Sequence, residues 1–143
     1  MHTRKISEVI AGRPILTGPA DLTVSEAARL MAAAKVGSIM LTEGGRLIGI
    51  FTERDALVRV LAAGLDPQVT PVAHAMTTHV MTATPEMPLG HALHLMFEGG
   101  FRHVPVVSDG RPVGMVSARD ALGPELVEFE GELLQREAIA EVL

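Results

Sequence analysis

A hydroxyl residue followed three positions later by an aspartate occurs twice, as Thr52 with Asp55 and as Ser117 with Asp120. A hydroxyl at a helix start with an acid in the first turn forms a capping box, which stabilises the helix by roughly 1 kcal/mol. The same geometry suits a phosphorylated sugar, because a helix N-terminus attracts an anion and a carboxylate accepts hydrogen bonds from a ribose diol. This spacing alone leaves both interpretations open.

Both pairs lie at the same place in a duplicated segment. The stretches GIFTERDAL at 49–57 and GMVSARDAL at 114–122 align without a gap, as do the longer segments 21–57 and 86–122. Each copy predicts the order β-α-β-β-α, with a capping box at Thr23 and Glu26 and a hairpin turn at Asp109-Gly110. One copy buries little core by itself, so we expect an α+β fold in which two three-stranded sheets pack face to face about a pseudo-twofold axis. That arrangement predicts two equivalent clefts.

Composition excludes several classes of function. The 143-residue chain has a formal charge of −5, no Cys, and four Phe as its only aromatic residues. It therefore lacks the cationic and aromatic surfaces typical of nucleic-acid binding, and it has no thiolate chemistry. His91 and His94 stand one turn apart without an evident third ligand, so no metal site is expected. No apolar run indicates a membrane span or a secretory signal, and we expect a cytoplasmic protein.

The two G-h-h-[ST]-x-x-D stretches at 49–55 and 114–120, with RHVPVV at 102–107 and VAHAMT at 72–77, resemble a known family. They are similar to a tandem pair of cystathionine-β-synthase (CBS) domains, the Bateman module, over nearly all of residues 1–122. The expected division is a first repeat at 1–65, a second at 66–123 and a C-terminal helix at 124–143. The resemblance implies a regulatory sensor of an adenosine compound, with no catalytic residues and no required cofactor.

The resemblance also implies the site residues. In similar modules the Asp holds ribose, the Ser or Thr contacts phosphate, aliphatic strand residues enclose adenine, and each cleft borrows the segment that leads into the other repeat. One cleft would then contain Asp120, Ser117, Met115, Arg102 and His103 with Ile10, Ala11 and Ile15. The other would contain Asp55, Thr52, Ile50, Gly37 and Ser38 with Met76, Thr77 and Val80. Arg54 and Arg119 are further candidates for contact with a phosphate.

The two expected clefts differ in charge. Arg102 and His103 stand where the other copy has Gly37 and Ser38, whereas Ala11 stands where the other lead-in has the hydroxyl of Thr77. We therefore expect the cleft of Asp120 to take a multiply charged phosphate, and the cleft of Asp55 to take a less charged adenosine ligand or none. The choice among AMP, ADP, ATP, NAD and S-adenosylmethionine stays open.

The tail from Pro124 predicts an acidic amphipathic helix, with Leu126, Phe129, Leu133 and Leu134 on one side. Its apolar face needs a cover, which we expect to be a second subunit in a homodimer; packing onto its own chain is the alternative. Without an attached catalytic domain, the output is expected to pass through a separate effector protein. Two other functions are weighed: a structural module with empty clefts, and a nucleotide hydrolase using His103, Asp120 and Ser117, which lacks paired carboxylates or a metal cluster.

Overall fold

Each repeat folds into a small β-sheet covered by helices, in a computed structural model that describes residues 4–142 and, among their side chains, all but those of 124–130 and 141–142. The first repeat contains, in chain order, α1 (Ile6–Ile10), β1 (Thr17–Pro19), α2 (Val24–Ala34), β2 (Ser38–Glu43), β3 (Arg46–Thr52) and α3 (Glu53–Asp55), which continues as a π-helix over Ala56–Leu61. In its sheet β1 pairs parallel to β2, and β2 pairs antiparallel to β3. The predicted capping box at the start of α2 is confirmed.

The second repeat repeats this order with two departures. It contains a 3₁₀ turn (Val72–His74), α4 (Leu89–Gly99), β4 (His103–Ser108), β5 (Arg111–Ser117) and a 3₁₀ turn (Ala118–Ala121), followed by the C-terminal α5 (Pro124–Val142). Its sheet has two strands where the sequence predicted three, and the position of the first strand holds a single parallel bridge between Ala83 and Val106.

A proline explains the missing strand. In the first repeat the Met40 N–H donates to the Leu16 carbonyl at 3.0 Å, next to the pairing of β1 with β2. The counterpart of Met40 in the second repeat is Pro105, which has no N–H to donate. The edge strand therefore keeps only the bonds around Ala83.

The helix expected after Ser117 forms a 3₁₀ turn over Ala118–Ala121. Gly123 adopts a left-handed conformation with φ of 46° directly before Pro124 starts α5. A proline disfavours helical geometry in the residue before it, so one continuous helix cannot run through this junction. The predicted C-terminal helix itself is confirmed.

The two repeats exchange their lead-in segments. Ile6 and Val9 of α1 belong to the hydrophobic core of the second repeat, whereas Val72 and Ala75 of the second lead-in belong to the core of the first. Main-chain bonds hold both exchanges, with the Ile6 N–H donating to Met87 at 2.9 Å and the Val72 N–H to Leu22 at 2.7 Å. Neither core is complete without the other repeat, so the pair folds as one unit.

Two glycines let the exchanged segments approach the strands of the sheets. A side chain at Gly114 in β5 would place its Cβ 2.8 Å from Ile10 Cδ1, and one at Gly49 in β3 would lie 2.8 Å from Met76 Sδ. Contacts between β3 and β5 and a bond of 2.9 Å from the Leu47 N–H to the Gly110 carbonyl join the sheets directly. The glycines thus let each lead-in segment pack directly onto a strand of the other repeat.

The C-terminal helix exposes every side chain that the structure describes in it, from 131 to 140. Leu133 and Leu134 are 41% and 66% exposed, so this part of α5 does not pack onto its own chain. The predicted apolar positions Leu126 and Phe129 lie outside the described side chains. Among the described residues, no helix has the length and apolar character required to cross a bilayer.

Candidate functional site

An open cleft of about 1450 Å³ lies between the repeats, at the ends of β3 and β5. Asp55 and Asp120 both line it, each just after its strand. Residues expected in each of the two predicted clefts line this space. We name the surroundings of Asp55, Thr52 and Thr77 the Asp55 subsite, and those of Asp120, Ser117 and Arg13 the Asp120 subsite.

In the Asp55 subsite, the carboxylate completes the capping box and also meets the other lead-in. Asp55 Oδ2 accepts from the Thr52 N–H at 3.0 Å, and Thr52 Oγ1 accepts from the Asp55 N–H at 3.2 Å. The Thr77 hydroxyl donates to Asp55 Oδ1 at 3.2 Å, while the Arg59 Nε lies 3.5 Å from the same oxygen. Ile50 and Thr77 form an antiparallel β-bridge through two main-chain hydrogen bonds, which positions the main chain that carries this hydroxyl. Oδ2 thus caps the helix start and lies 3.4 Å from the Thr77 hydroxyl as well, whereas Oδ1 accepts only from polar partners in the cleft.

In the Asp120 subsite, the same division holds with a cation in place of the hydroxyl. Asp120 Oδ2 accepts from the Ser117 N–H at 2.8 Å, and Oδ1 forms an ion pair of 2.7 Å with Arg13 Nη2. Ala11 stands where Thr77 stands in the other lead-in, so no hydroxyl is present there. Arg4 Nη2 donates to the Asp120 carbonyl at 2.8 Å and thereby stabilises the 3₁₀ turn that contains Asp120. Asp120 is 7% exposed, as is Asp55.

Cations are concentrated along this cleft. Among the side chains that the structure describes, seven Lys and Arg residues line it against three carboxylates, namely Arg4, Arg13, Lys35, Arg54, Arg59, Arg102 and Arg119 against Glu53, Asp55 and Asp120. The whole chain carries a formal charge of −5, so the positive character of the cleft runs against that of the protein. A concave site with an excess of fixed cations attracts and concentrates anions.

Burial and the charged residues of both repeats affect the pKa of His103. Burial lowers the pKa of its imidazole, while the negative charge of Glu53 opposes that shift and Arg102 adds to it. Glu53 begins α3 of the first repeat, whereas His103 begins β4 of the second. The opposing repeats therefore interact electrostatically across the cleft.

Most residues implied by the resemblance line this cleft. Fourteen do so: Gly37, Ser38, Ile50, Thr52, Arg54, Asp55, Thr77, Val80, Arg102, His103, Met115, Ser117, Arg119 and Asp120. Ile10, Ala11, Ile15 and Met76 do not line it. Ile10 and Met76 are directed against Gly114 and Gly49 instead, because those glycines leave a space that the two side chains fill. Ala11 and Ile15 are exposed, Ile15 by 44%.

Sequence reasoning missed three cations that contact the two carboxylate segments. Arg13 and Arg59 meet the carboxylates themselves, and Arg4 meets the main chain of Asp120. Arg59 carries a local signal, since it lies four residues after Asp55 on one helix. Arg4 and Arg13 carry none, because their partner lies more than 100 residues away in the chain.

The CBS domain family model matches residues 6–62 and 72–123. The chain therefore belongs to the CBS domain family and contains a tandem pair of these domains. The CBS domain-containing protein YhcV of Bacillus subtilis is 38% identical over 106 residues, covering 74% of this chain and 75% of YhcV. The CBS domain-containing protein CBSCBSPB1 of Arabidopsis thaliana is 33% identical over 126 residues, 87% of this chain but 23% of that protein. The chain thus spans about a quarter of the length of that curated relative.

Solved structures with this fold include complexes with adenosine compounds. The CBS domain protein PAE2072 from Pyrobaculum aerophilum, complexed with AMP, superimposes with a TM-score of 0.77 at 29% identity, covering 89% of this chain and 97% of that chain. The CBS domain pair of protein MJ0100, in complex with 5′-methylthioadenosine and S-adenosyl-L-methionine, gives a TM-score of 0.76 at 25% identity, covering 92% and 99%.

Proposed function

We propose that this chain is a regulatory module that binds an adenosine nucleotide in the cleft between its CBS repeats and signals to a separate protein. The observation that carries the proposal is the concentration of seven Lys and Arg residues along one cleft that also contains two buried carboxylates at helix starts. Fixed cations suit the phosphates, and the carboxylates suit ribose hydroxyls.

The ligands of similar proteins support adenosine as the shared element. AMP, 5′-methylthioadenosine and S-adenosyl-L-methionine differ in charge, but all contain adenine and ribose. In this chain Asp55 and Asp120 are the ribose acceptors of the proposal, because each commits one oxygen to its helix and leaves the other toward the cleft. Ile50 and Met115 supply apolar walls for the base, one from each repeat.

Regulation follows from the shared construction of the cleft. A ligand changes an equilibrium only if it binds two states with different affinity. Both subsites combine a strand of one repeat with the lead-in of the other, so a bound nucleotide would favour the arrangement in which these segments fit together. The exposed part of α5, including Leu133 and Leu134, is the surface that we propose for an effector protein or a second copy of the chain.

Isothermal titration calorimetry with AMP, ADP, ATP, NAD and S-adenosylmethionine tests the proposal, with GMP and inorganic phosphate as controls. Binding of at least one adenosine compound, tighter than GMP, is expected. A ligand present at 100 times its dissociation constant should also stabilise the fold by about 2.7 kcal/mol in thermal melting.

A pair of arginine variants tests the role of the cleft. Arg102→Ala removes a cation that lines it, and Arg29→Ala removes an exposed cation of α2 that does not. We expect the affinity for AMP to fall about 10-fold in the first variant, since a hydrogen bond to a charged group is worth about 1.5 kcal/mol or more. Equal affinities of the two variants would contradict the proposed phosphate site.

One observation favours a structural module without a ligand. Each carboxylate already accepts a hydrogen bond from the main chain of its own helix start, at Thr52 and at Ser117. Helix capping by these bonds is a sufficient reason for the sequence to place a hydroxyl residue and an aspartate three positions apart. If no compound of the panel binds at millimolar concentration, this second function replaces the first.

A further inference from the structure

The two carboxylates of the cleft meet different partners on the side that faces the proposed ligand. Asp120 Oδ1 contacts the Arg13 guanidinium at 2.7 Å, in an ion pair whose carboxylate is nearly buried and whose arginine side chain is 46% exposed. Asp55 Oδ1 receives the Thr77 hydroxyl at 3.2 Å. Its nearest cation, Arg59 Nε, stands 3.5 Å away, and Nη1 of that residue donates to the Met76 carbonyl at 3.1 Å.

This difference changes what a ribose must displace. Both bonds end on a carboxylate, but Arg13 brings a full positive charge at 2.7 Å, whereas Thr77 brings a neutral hydroxyl at 3.2 Å. The Arg13 ion pair therefore competes with ribose hydroxyls more strongly than the threonine hydroxyl does. The half-exposed Arg13 can turn away from Asp120 at modest cost only if another anion replaces the carboxylate, and the phosphate of a nucleotide is such an anion. An unphosphorylated adenosine compound brings none.

We propose, on the basis of the proposed nucleotide binding, that Arg13 is a specificity-determining latch of the Asp120 subsite. In the free protein it covers the carboxylate oxygen that would receive ribose. A phosphorylated ligand takes over the guanidinium through its phosphate and thereby releases Asp120 for the ribose. The Asp120 subsite therefore selects nucleotides over adenosine, 5′-methylthioadenosine and S-adenosylmethionine. In the Asp55 subsite the Thr77 hydroxyl makes the shorter contact and the cation Arg59 lies 3.5 Å away, so its selection should be weaker.

The test compares AMP with adenosine by isothermal titration calorimetry in an Asp55→Ala background, which leaves the Asp120 subsite to report. Arg13→Met removes the charge and keeps most of the length of the side chain, and Arg13→Lys keeps the charge. With Arg13 present, we expect AMP to bind much more tightly than adenosine. In Arg13→Met this ratio of affinities should fall about 10-fold, through weaker AMP binding and stronger adenosine binding. Arg13→Lys should retain most of the ratio.

The ratio separates selection from a general loss of structure, because a damaged subsite loses affinity for both ligands in the same direction. An unchanged ratio in Arg13→Met would overturn the latch and leave the proposed function intact. The same holds if wild-type protein binds AMP but the Asp55→Ala protein binds neither ligand, since the Asp120 subsite is then not a nucleotide site. Absence of AMP binding to the wild type would overturn both proposals. Thermal melting of each variant verifies that it is folded, and Arg13→Gln serves as a second neutral variant.

Discussion

Replacing Asp120 with alanine tests separately the two roles of its carboxylate. One role is structural: Oδ2 accepts from the Ser117 N–H at 2.8 Å, and the loss of such a cap costs about 1 kcal/mol. For a chain of this length, that loss lowers the melting temperature by about 2–4 °C. The other role is the proposed ribose contact, worth about 1.5–3 kcal/mol, which corresponds to a loss of affinity of about 10-fold to 100-fold. Because the variant also frees Arg13 for the phosphate of AMP, the loss for AMP should lie near the lower value.

Calorimetric titration with AMP and differential scanning calorimetry measure the two effects on the same protein, with Asp55→Ala present in every variant so that AMP binding reports the Asp120 subsite. Glu26→Ala is the matched control, because Glu26 Oε2 accepts from the Thr23 N–H at 3.0 Å in the same position of the capping box of α2, and Glu26 does not line the cleft. We expect the control to lose similar stability and no affinity. If Asp120→Ala melts at a lower temperature but binds AMP as the Asp55→Ala parent does, the carboxylate is only a helix cap, and the ribose assignment fails.

Two further predictions concern packing and pH. Gly49→Ala should lower the free energy of unfolding, measured by urea titration, by about 1–3 kcal/mol, because the new Cβ would lie 2.9 Å from the Thr77 carbonyl oxygen. Gly90→Ala is the control, because a Cβ there would meet no neighbouring atom within 4 Å, and it should cause no loss of stability. For His103, burial lowers the pKa in the folded state, so the unfolded chain binds more protons just below its own pKa of about 6.5. Stability linked to this residue is therefore present above pH 6.5 and lost as the pH falls through it. The melting temperature of the wild type should drop more between pH 7.5 and 5.5 than that of His103→Gln, and parallel pH profiles would refute this assignment.

The departures from exact repetition depend on single residues whose effect appears only in the folded pair. Pro105 occupies the position of Met40, and the absent N–H reduces a strand to one bridge. A proline can be read in the sequence, but which carbonyl loses its donor depends on the partner segment. Likewise, only the folded pair shows that Ile10 and Met76 fill the space above a glycine of the neighbouring strand.

By itself, the sequence determined the duplication, the CBS family, the capping boxes and the pair of aspartates, because each depends on residues that lie close together in the chain or recur at a fixed interval. Tertiary structure alone decided that seven cations line the space between the repeats. It also decided that Arg13 meets Asp120, since the exchange of lead-in segments brings together side chains that are 107 residues apart. Periodicity and local spacing carry no information about such a contact, because it is created only when each repeat completes the core of the other.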